Sequence, residues 1–349
     1  MRYGLLVMCL ASWAAAQEAR FDVRTRLVLS PVTVRDAAGK SVPGLEASDF
    51  VVLDNGRPQK IVVDSIDTGM PRIALVIAVQ SSGISEAMVQ KARTMGSMIQ
   101  PVVTGDRGCA GVVTFDERVN WLQECTGDGG AVRAAFLGMR AVGGTSAKKD
   151  ARMLDAVSSA IEHLRKEEKA RRVVLLISES RDRGSEATLE QVMADAQAAD
   201  VVIYAATFSA FTTSMLSKVP VRVTASKSPL HTPSEVALQT SNGAPPNQYN
   251  PRMPPTEQRV DLKAGIEELT RKFGTNTADV LTGGTGGAVF PFTKAKGLEE
   301  AIEKLGEEVH SQYIVGFSPE PADDGYHVLE FKVTREGSFQ VRARAGYRM

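Results

Sequence analysis

The 349-residue chain lacks an excess of charge of either sign, because 41 lysines and arginines are matched by 41 aspartates and glutamates. This balance excludes the overall polycation expected of a dedicated nucleic-acid binder. Histidine is scarce, and the four residues are scattered without the paired spacing of a zinc site. The rest is ordinary for a globular protein, with 43% apolar and 23% charged residues, which excludes wholesale disorder.

Long apolar runs are absent except at the N-terminus, which reads MRYGLLVMCLASWAAAQEAR. The positive Arg2 precedes an apolar core over residues 4–13, and an A-x-A cleavage signal follows at residues 14–16. This pattern predicts a signal peptide over residues 1–16, a mature chain from Gln17, and export to the periplasm, the cell surface or the medium. An uncleaved anchor is the alternative, although the apolar run is short for a membrane span.

Cysteine is scarce too, and beyond Cys9 of the signal peptide only Cys109 and Cys125 remain. An even number in an oxidising compartment favours a disulfide. Residues 110–115 and 119–123 are short apolar-rich runs on either side of a charged turn, which is typical of a β-hairpin. A symmetric hairpin would place the two cysteines opposite each other, close to disulfide reach. Two buried free thiols are the alternative.

Strand-like alternation without a helical period runs through residues 21–68. Val23, Thr25 and Leu27 alternate with other side chains, and Asp54-Asn55-Gly56 is a strong turn signal between two apolar runs. This pattern predicts a small N-terminal β module over residues 20–70.

The pattern changes at residue 71. Residues 73–79, 173–177 and 201–206 are continuous apolar runs, as expected of strands buried on both faces. Between these runs, apolar residues recur at helical spacing. Strands alternating with amphipathic helices predict an α/β domain over residues 71–310, with a doubly wound and mostly parallel sheet.

Residues 210–258 interrupt this domain. Eight of the 16 prolines lie there, which predicts an extended excursion, either a surface insertion or a partner-binding arm. The α/β pattern then resumes, and a glycine-rich loop is expected over residues 283–287. Strand alternation returns over residues 311–349. We expect these last strands to pack with the N-terminal module, so that the α/β domain is inserted in a β-sandwich-like module built from both chain ends.

Three loops are expected to converge outside the carboxyl ends of the parallel strands, where doubly wound sheets bind ligands. They cover residues 80–85, 143–145 and 178–180, and each contains hydroxyl, amide or carboxylate side chains.

At these segments the chain resembles von Willebrand factor A domains, and in particular the related family described from acidobacteria. The similar segments are PVTVRDAAGKSVPGLEASDFVVLDNGRPQKI, GVVTFDERVNWLQECT, VVIYAATFS, SQYIVGFSP and the closing AGYRM, in this order along nearly the whole mature chain. The resemblance implies an α/β fold and a metal-ion-dependent adhesion site. That site has an Asp-x-Ser-x-Ser run, a Thr in a Gly-Gly-Thr loop and a later Asp, which together hold a divalent cation for an acidic residue of the partner.

Five positions of this sequence match that motif, namely Gln80, Ser82, Ile84, Thr145 and Glu179. Gln80 stands where the motif has its leading Asp, Ile84 replaces the second Ser, and Glu179 replaces the later Asp. Ser82 and Thr145 keep their hydroxyls, Gln80 offers an uncharged amide and Ile84 no ligand atom. The candidate ligands of Mg²⁺ or Mn²⁺, which prefer near-octahedral oxygen donors, are Ser82, Thr145 and Glu179.

Gln80 removes a negative charge, worth about 4 kcal/mol at contact distance near a protein surface. The sequence therefore predicts a degenerate ligand-binding site with no cofactor, or at most weakly bound Mg²⁺ or Mn²⁺. Ser85 or Asp182 completing the metal shell is the competing interpretation. A partner carboxylate docking at the start of the helix that follows Ser82 would need no cation.

Enzyme motifs are weak. Residues 146–149 contain Ser-x-x-Lys, but the Lys-Thr-Gly that accompanies it in penicillin-recognising enzymes is missing. No Lys-Ser or Lys-Thr follows the glycines of residues 283–287, so they form no P-loop. We therefore assign no catalytic residue.

The sequence as a whole predicts an exported, non-enzymatic protein for protein–protein interaction or adhesion, with an unknown protein partner. It predicts no nucleic-acid partner and no membrane span after cleavage of the signal peptide. A structural cell-envelope scaffold without a ligand and an unrecognised secreted hydrolase are the alternatives.

Overall fold

The computed structural model describes residues 27–64, 72–82, 86–140, 150–208, 262–320 and 323–349. The predicted signal peptide, the proline-rich residues 210–258 and the Ser-x-x-Lys pattern lie outside these ranges. None of the helices in the described part of the chain has the length and apolar character needed to cross a membrane.

Four short strands open the described chain. They are β1 (Val28–Arg35), β2 (Phe50–Asp54), β3 (Arg57–Pro58) and β4 (Ile61–Asp64). Side chains of β2 alternate between buried and partly buried, as the sequence pattern predicts for a half-buried strand. Asn55 and Gly56 both have positive φ, 49° and 79°, which is the backbone that a tight hairpin turn requires.

The central sheet has six strands. They are β5 (Arg72–Gln80), β6 (Cys109–Phe115), β7 (Val119–Thr126), β8 (Ala170–Ser178), β9 (Val201–Thr207) and β10 (Val289–Pro291). Their spatial order is β10-β9-β8-β5-β6-β7, and all neighbours are parallel except the β6–β7 hairpin. The chain starts in the middle with β5 and winds outward in both directions. This order confirms the predicted doubly wound, mostly parallel sheet.

Seven α-helices accompany the strands in the described part of the chain. They are α1 (Glu86–Ile99), α2 (Gly129–Gly138), α3 (Met153–Leu164), α4 (Leu189–Ala198), α5 (Leu262–Phe273), α6 (Thr277–Thr285) and α7 (Ala295–Ser311). Apolar residues of α1, α2 and α7 form a core with one face of the sheet. Those of α3 to α6 form a second core with the other face. Both faces of the sheet are therefore covered, which explains why its strands read as continuous apolar runs.

The last four strands return to the first four. They are β11 (Tyr313–Phe317), β12 (Tyr326–Val333), β13 (Gln340–Arg342) and β14 (Gly346–Arg348). Two antiparallel sheets result, in the orders β13-β1-β11-β4 and β14-β12-β2-β3, and they enclose a core of their own. Strands from both chain ends thus build one β module, and the α/β layer is inserted between them. The predicted fold class is confirmed.

A polar cluster around a buried carboxylate joins the β module to the α/β layer, and we call it the polar junction. It consists of Arg35, Tyr204, Glu308, Gln312 and Arg342. The Glu308 side chain is 1% exposed, lies 3.5 Å from the Arg35 guanidinium and forms an ion pair with Arg342. Gln312 Nε2 donates to the Tyr204 hydroxyl at 2.8 Å. The α7 helix is therefore tied to β1, β9 and β13 by charge and hydrogen bonds.

The predicted hairpin and disulfide are confirmed. Cys109 begins β6, Cys125 lies near the end of β7, and the two residues are disulfide-bonded with their Cα atoms 5.3 Å apart. The pairing is less regular than a symmetric hairpin, because the register shifts twice between Ala110 and Val113. These irregularities bend the edge strand without separating the two cysteines.

The glycine-rich loop predicted over residues 283–287 is wrong in its first half, because α6 continues to Thr285. Gly283 and Gly284 are buried in this helix, where an added Cβ would lie 2.5 Å from the Phe273 ring and from Met193 Cε respectively. Glycine here serves close helix packing. Gly286, with φ of +86°, then ends the helix.

Candidate functional site

The candidate site lies between β5 and β8, where the order of the strands along the sheet reverses its direction. From β5 the chain proceeds outward through β6 and β7, whereas from β8 it proceeds outward through β9 and β10. Gln80 is the last residue of β5, and Glu179 directly follows β8, the parallel neighbour of β5. Ligands of doubly wound sheets bind in the crevice at this point. We call residues 80–82 and 179–183 together the crown.

Gln80 is fully buried and bridges the two strands through its amide. Its Nε2 donates to the carbonyl oxygen of Ser82 at 2.8 Å and to Glu179 Oε2 at 3.3 Å. Its Oε1 accepts from the Glu179 backbone N–H at 2.9 Å. Both amide hydrogens are therefore in use, and an N–H group faces the carboxylate. A carboxylate at position 80 would repel Glu179, whereas the amide binds it.

The two serines after β5 hold neighbouring loops. Ser82 is 1% exposed, and its hydroxyl donates to the carbonyl oxygen of Asp150 at 2.8 Å. Ser81 donates to Asp116 Oδ2 at 3.0 Å and also contacts the carbonyl oxygen of Phe115 at 3.2 Å. Ser81 thus connects β5 to the end of β6, and the Ser82 hydroxyl, which a metal site would use as a ligand, instead connects β5 to the loop before α3.

The carboxylate of Glu179 has a cationic partner that the sequence reasoning missed. Arg183 NH2 lies 2.6 Å from Glu179 Oε2, and the two side chains are 42% and 16% exposed. The backbone of Arg183 is itself fixed, because it exchanges two hydrogen bonds with Ala151 at 2.9 and 3.1 Å. The spacing of four residues between Glu179 and Arg183 was the only signal in the sequence, and this segment is not helical.

Asp182, one candidate to complete a metal shell, already accepts hydrogen bonds from other protein groups. Its Oδ1 accepts from the Leu154 backbone N–H at 3.0 Å and from the Ser185 hydroxyl at 2.6 Å. The carboxylate therefore satisfies a backbone donor at the start of α3, where acidic groups are stabilising. Nearby, a hydrogen bond to Glu186 raises the pKa of Arg152 above its ordinary value.

The described crown residues do not fit a divalent cation. A dication needs oxygen ligands with negative charge, but Gln80 presents an N–H group and the Glu179 carboxylate is already bound by a guanidinium. Within the described ranges, one group of cysteine and acidic side chains is close enough to suggest a metal site, Cys109, Cys125 and Glu167. Its two sulfur atoms form the disulfide, so it is no metal site.

Gln80 therefore contacts the backbone of Ser82 and the carboxylate of Glu179. The other two motif positions, Ile84 and Thr145, lie outside the described residues, as does Ser85.

No family model and no curated protein sequence matches the chain. Among solved structures, it is similar to the conserved hypothetical protein BatB from Bacteroides thetaiotaomicron, with 12% identity, a TM-score of 0.39, and 67% of this chain and 99% of that chain covered. It is also similar to an aerotolerance-related membrane protein from Bacteroides fragilis, with 10% identity, a TM-score of 0.41, and 68% and 99% covered.

A third similar structure is proximal thread matrix protein 1 from the mussel byssus, determined with a zinc-occupied adhesion motif. The identity is 13%, the TM-score is 0.31, and 40% of this chain and 38% of that chain are covered. For this chain, the order and direction of the six central strands carry the assignment. The chain has a von Willebrand factor A-like fold.

Proposed function

We propose that this chain is an exported, non-enzymatic protein-interaction module that binds a protein partner through its crown without a metal ion. The observation that carries the proposal is the ion pair between Glu179 and Arg183, at 2.6 Å. In the resembling adhesion sites, a divalent cation neutralises the carboxylates and receives an acidic residue of the partner. Here a guanidinium of the chain itself supplies positive charge beside the remaining carboxylate.

Electrostatics favour the guanidinium of Arg183 over a bound dication at this site. Two unit charges about 4 Å apart interact by about 4 kcal/mol near a protein surface, so a dication at that distance from Arg183 would be repelled by about 8 kcal/mol. Gln80 adds no negative charge to offset this repulsion. The Glu179 carboxylate is also already hydrogen-bonded by Gln80 and paired with Arg183. The crown is thus complete with protein groups alone.

The hydrogen bonds of the crown support a role in binding rather than catalysis. The Ser82 hydroxyl donates to a backbone carbonyl and has no base beside it among the described residues. Two of the three described histidines contact other groups: the His163 ring lies tilted against Trp121 with ring centroids 3.9 Å apart, and His327 Nδ1 lies 2.8 Å from Asp54 Oδ1 in the β module. Export rests on the N-terminal pattern, and the disulfide supports it.

The metal part of the proposal is tested by calorimetry of the mature chain, residues 17–349, with Mg²⁺ and Mn²⁺. We expect no binding heat for the natural sequence. The matched variant carries Gln80→Asp, Ile84→Ser and Arg183→Ala, which restores the adhesion motif and removes the guanidinium. This variant should gain Mg²⁺ binding. Tight binding by the natural sequence, at a site that Glu179→Gln abolishes, would refute a metal-free crown.

The interaction part is tested with the mature chain as bait for proteins of its own organism. A partner retained equally with and without EDTA, and lost with Arg183→Glu, supports the proposal. Lys332→Glu makes the same charge change on β12, which pairs with β2 and β14 in the β module and not with the strands of the crown, and serves as the control. A partner that binds Arg183→Glu as well as the natural chain would remove the crown from recognition and favour the scaffold interpretation.

A further inference from the structure

A cavity of about 710 Å³ lies beside the crown. Ser180, the neighbour of Glu179, forms one side, and the end of β9 and the strand β10 form another. The first turns of α7 close the remaining side. This volume is in the range of ordinary ligand pockets. Within the described residues, β10 is the last strand in the sheet order, and all three of its residues line the cavity.

Three phenylalanines give the cavity an apolar floor. Phe208 and Phe292 are each 5% exposed and meet edge to face, with ring centroids 6.0 Å apart. Phe290 stacks on the buried Tyr204 with centroids 6.2 Å apart. The floor is therefore held by packing beneath it and offers a preformed surface for an apolar side chain.

Basic side chains dominate the rim. Lys294, Lys296 and Lys304 line the cavity and are exposed, and Glu300 is the one acidic lining residue. Glu300 lies 3.6 Å from Lys296. Within the described part of the chain, neither Lys294 nor Lys304 has a carboxylate within ion-pair distance. The rim thus carries more positive charge than its own residues neutralise.

We propose that this cavity is the binding site for an acidic segment of the protein partner, with an apolar side chain on the phenylalanine floor and carboxylates at Lys294 and Lys304. The inference rests on the proposed function and gives the partner a chemical class. A polypeptide segment suits the cavity because it can present an apolar side chain and neighbouring carboxylates together. Charge complementarity at a rim of this kind mainly accelerates association and selects the partner.

The test uses the mature chain and a fluorescein-labelled peptide of glutamates and phenylalanines, followed by fluorescence anisotropy. A peptide with lysines in place of the glutamates is the control probe. We expect the acidic peptide to bind more weakly as salt rises, and Lys294→Glu with Lys304→Glu to weaken it about tenfold or more. Lys332→Glu should leave the affinity unchanged. Absence of binding, or equal binding by the lysine variant, would refute the inference.

A second measurement locates the peptide. Carbodiimide should cross-link its glutamates to Lys294, Lys296 or Lys304, as identified by mass spectrometry. Cross-links from these lysines to Glu235, Glu257 or Asp261 without peptide would instead make the chain's own insertion the occupant and overturn the proposal.

The variants also separate this inference from the proposed function. If the partner is lost with Arg183→Glu but not with the lysine variant, the crown binds it and the cavity does not.

Discussion

The polar junction allows us to predict how much stability is lost when the buried carboxylate of Glu308 loses its arginine partners. Arg35→Ala and Arg342→Ala each remove one cation from Glu308, while the other cation remains. The Glu308 side chain is 1% exposed, whereas Arg35 and Arg342 are 26% and 36% exposed. The arginines can therefore gain water when they are released, but the carboxylate cannot. Each single change should cost about 1 kcal/mol of the free energy of unfolding, and the double change about 3 kcal/mol.

These magnitudes follow from the geometry. The 3.5 Å separation of Arg35 from Glu308 corresponds to about 5 kcal/mol of gross attraction at an effective dielectric constant of 20, most of which desolvation offsets. A third arginine, Arg171, should keep the loss of unfolding free energy in the double variant near the lower end of what an unpaired buried charge costs. Arg171 donates to Gln312 Oε1, and Gln312 Nε2 lies 3.5 Å from Glu308 Oε1, so a third guanidinium remains near the carboxylate.

The assay is urea unfolding followed by circular dichroism, with Glu308→Gln added as a rescue. In the double variant, Glu308→Gln should recover about 2 kcal/mol, because a neutral amide is less costly to bury than an unpaired carboxylate. In the natural background the same change should destabilise the protein, because it removes the partner of two arginines. Strictly additive single changes, together with no rescue by glutamine, would refute the reasoning.

Three further outcomes are expected. Cys109→Ser with Cys125→Ser should lower the free energy of unfolding by about 3 kcal/mol, as measured by urea unfolding, because the bond closes a loop of 16 positions. Gly287→Ala should prevent accumulation of folded protein in expression trials, because its Cβ would lie 1.9 Å from the carbonyl oxygen of Ile203. Burial raises the pKa of Tyr204, so stability should fall as pH rises above about 10, where an unfolded tyrosine ionises first, and thermal melts at increasing pH measure this.

Each of these outcomes has its control. Reduction of the disulfide in the natural protein should lower its stability as much as the double serine variant does. An unchanged midpoint of urea unfolding would contradict the predicted loss of stability. Gly138→Ala places a Cβ with nothing within 4 Å, so it should fold normally. Tyr204→Phe should remove part of the alkaline loss of stability, and an identical pH profile would exclude Tyr204 as its source.

The fold could be predicted from the sequence because its strands are buried on both faces. Residues 73–79 read as a continuous apolar run, and β5 is buried almost throughout. The glycines at 283 and 284 misled the prediction, because their partners, Phe273 and Met193, approach only in three dimensions. The helix α2 was missed as well, although Asp128 caps it by accepting from Gly130 N–H.

The candidate site was predictable in its position but not in its electrostatics. A motif alignment places Gln80 and Glu179, because both positions are fixed by the ends of buried strands. Arg183 could not be found in this way, since its contact with Glu179 depends on a pairing with Ala151 in another loop. The resemblance to the acidobacterial type of the family, the predicted domain boundaries and the signal peptide stay predictions.

Because strands from both chain ends build the β module, we expect this module to form after the central sheet. Leu45 and Tyr313 lie 268 positions apart, yet the Leu45 backbone N–H donates to the Tyr313 hydroxyl. Contacts of such sequence separation form slowly, since a long loop must close before they can contribute. The parallel layer has its own cores and can assemble first, bringing the first and last strands within reach. A pulse-labelled refolding experiment should therefore protect the amides of β5 and β8 earlier than those of β1 and β11.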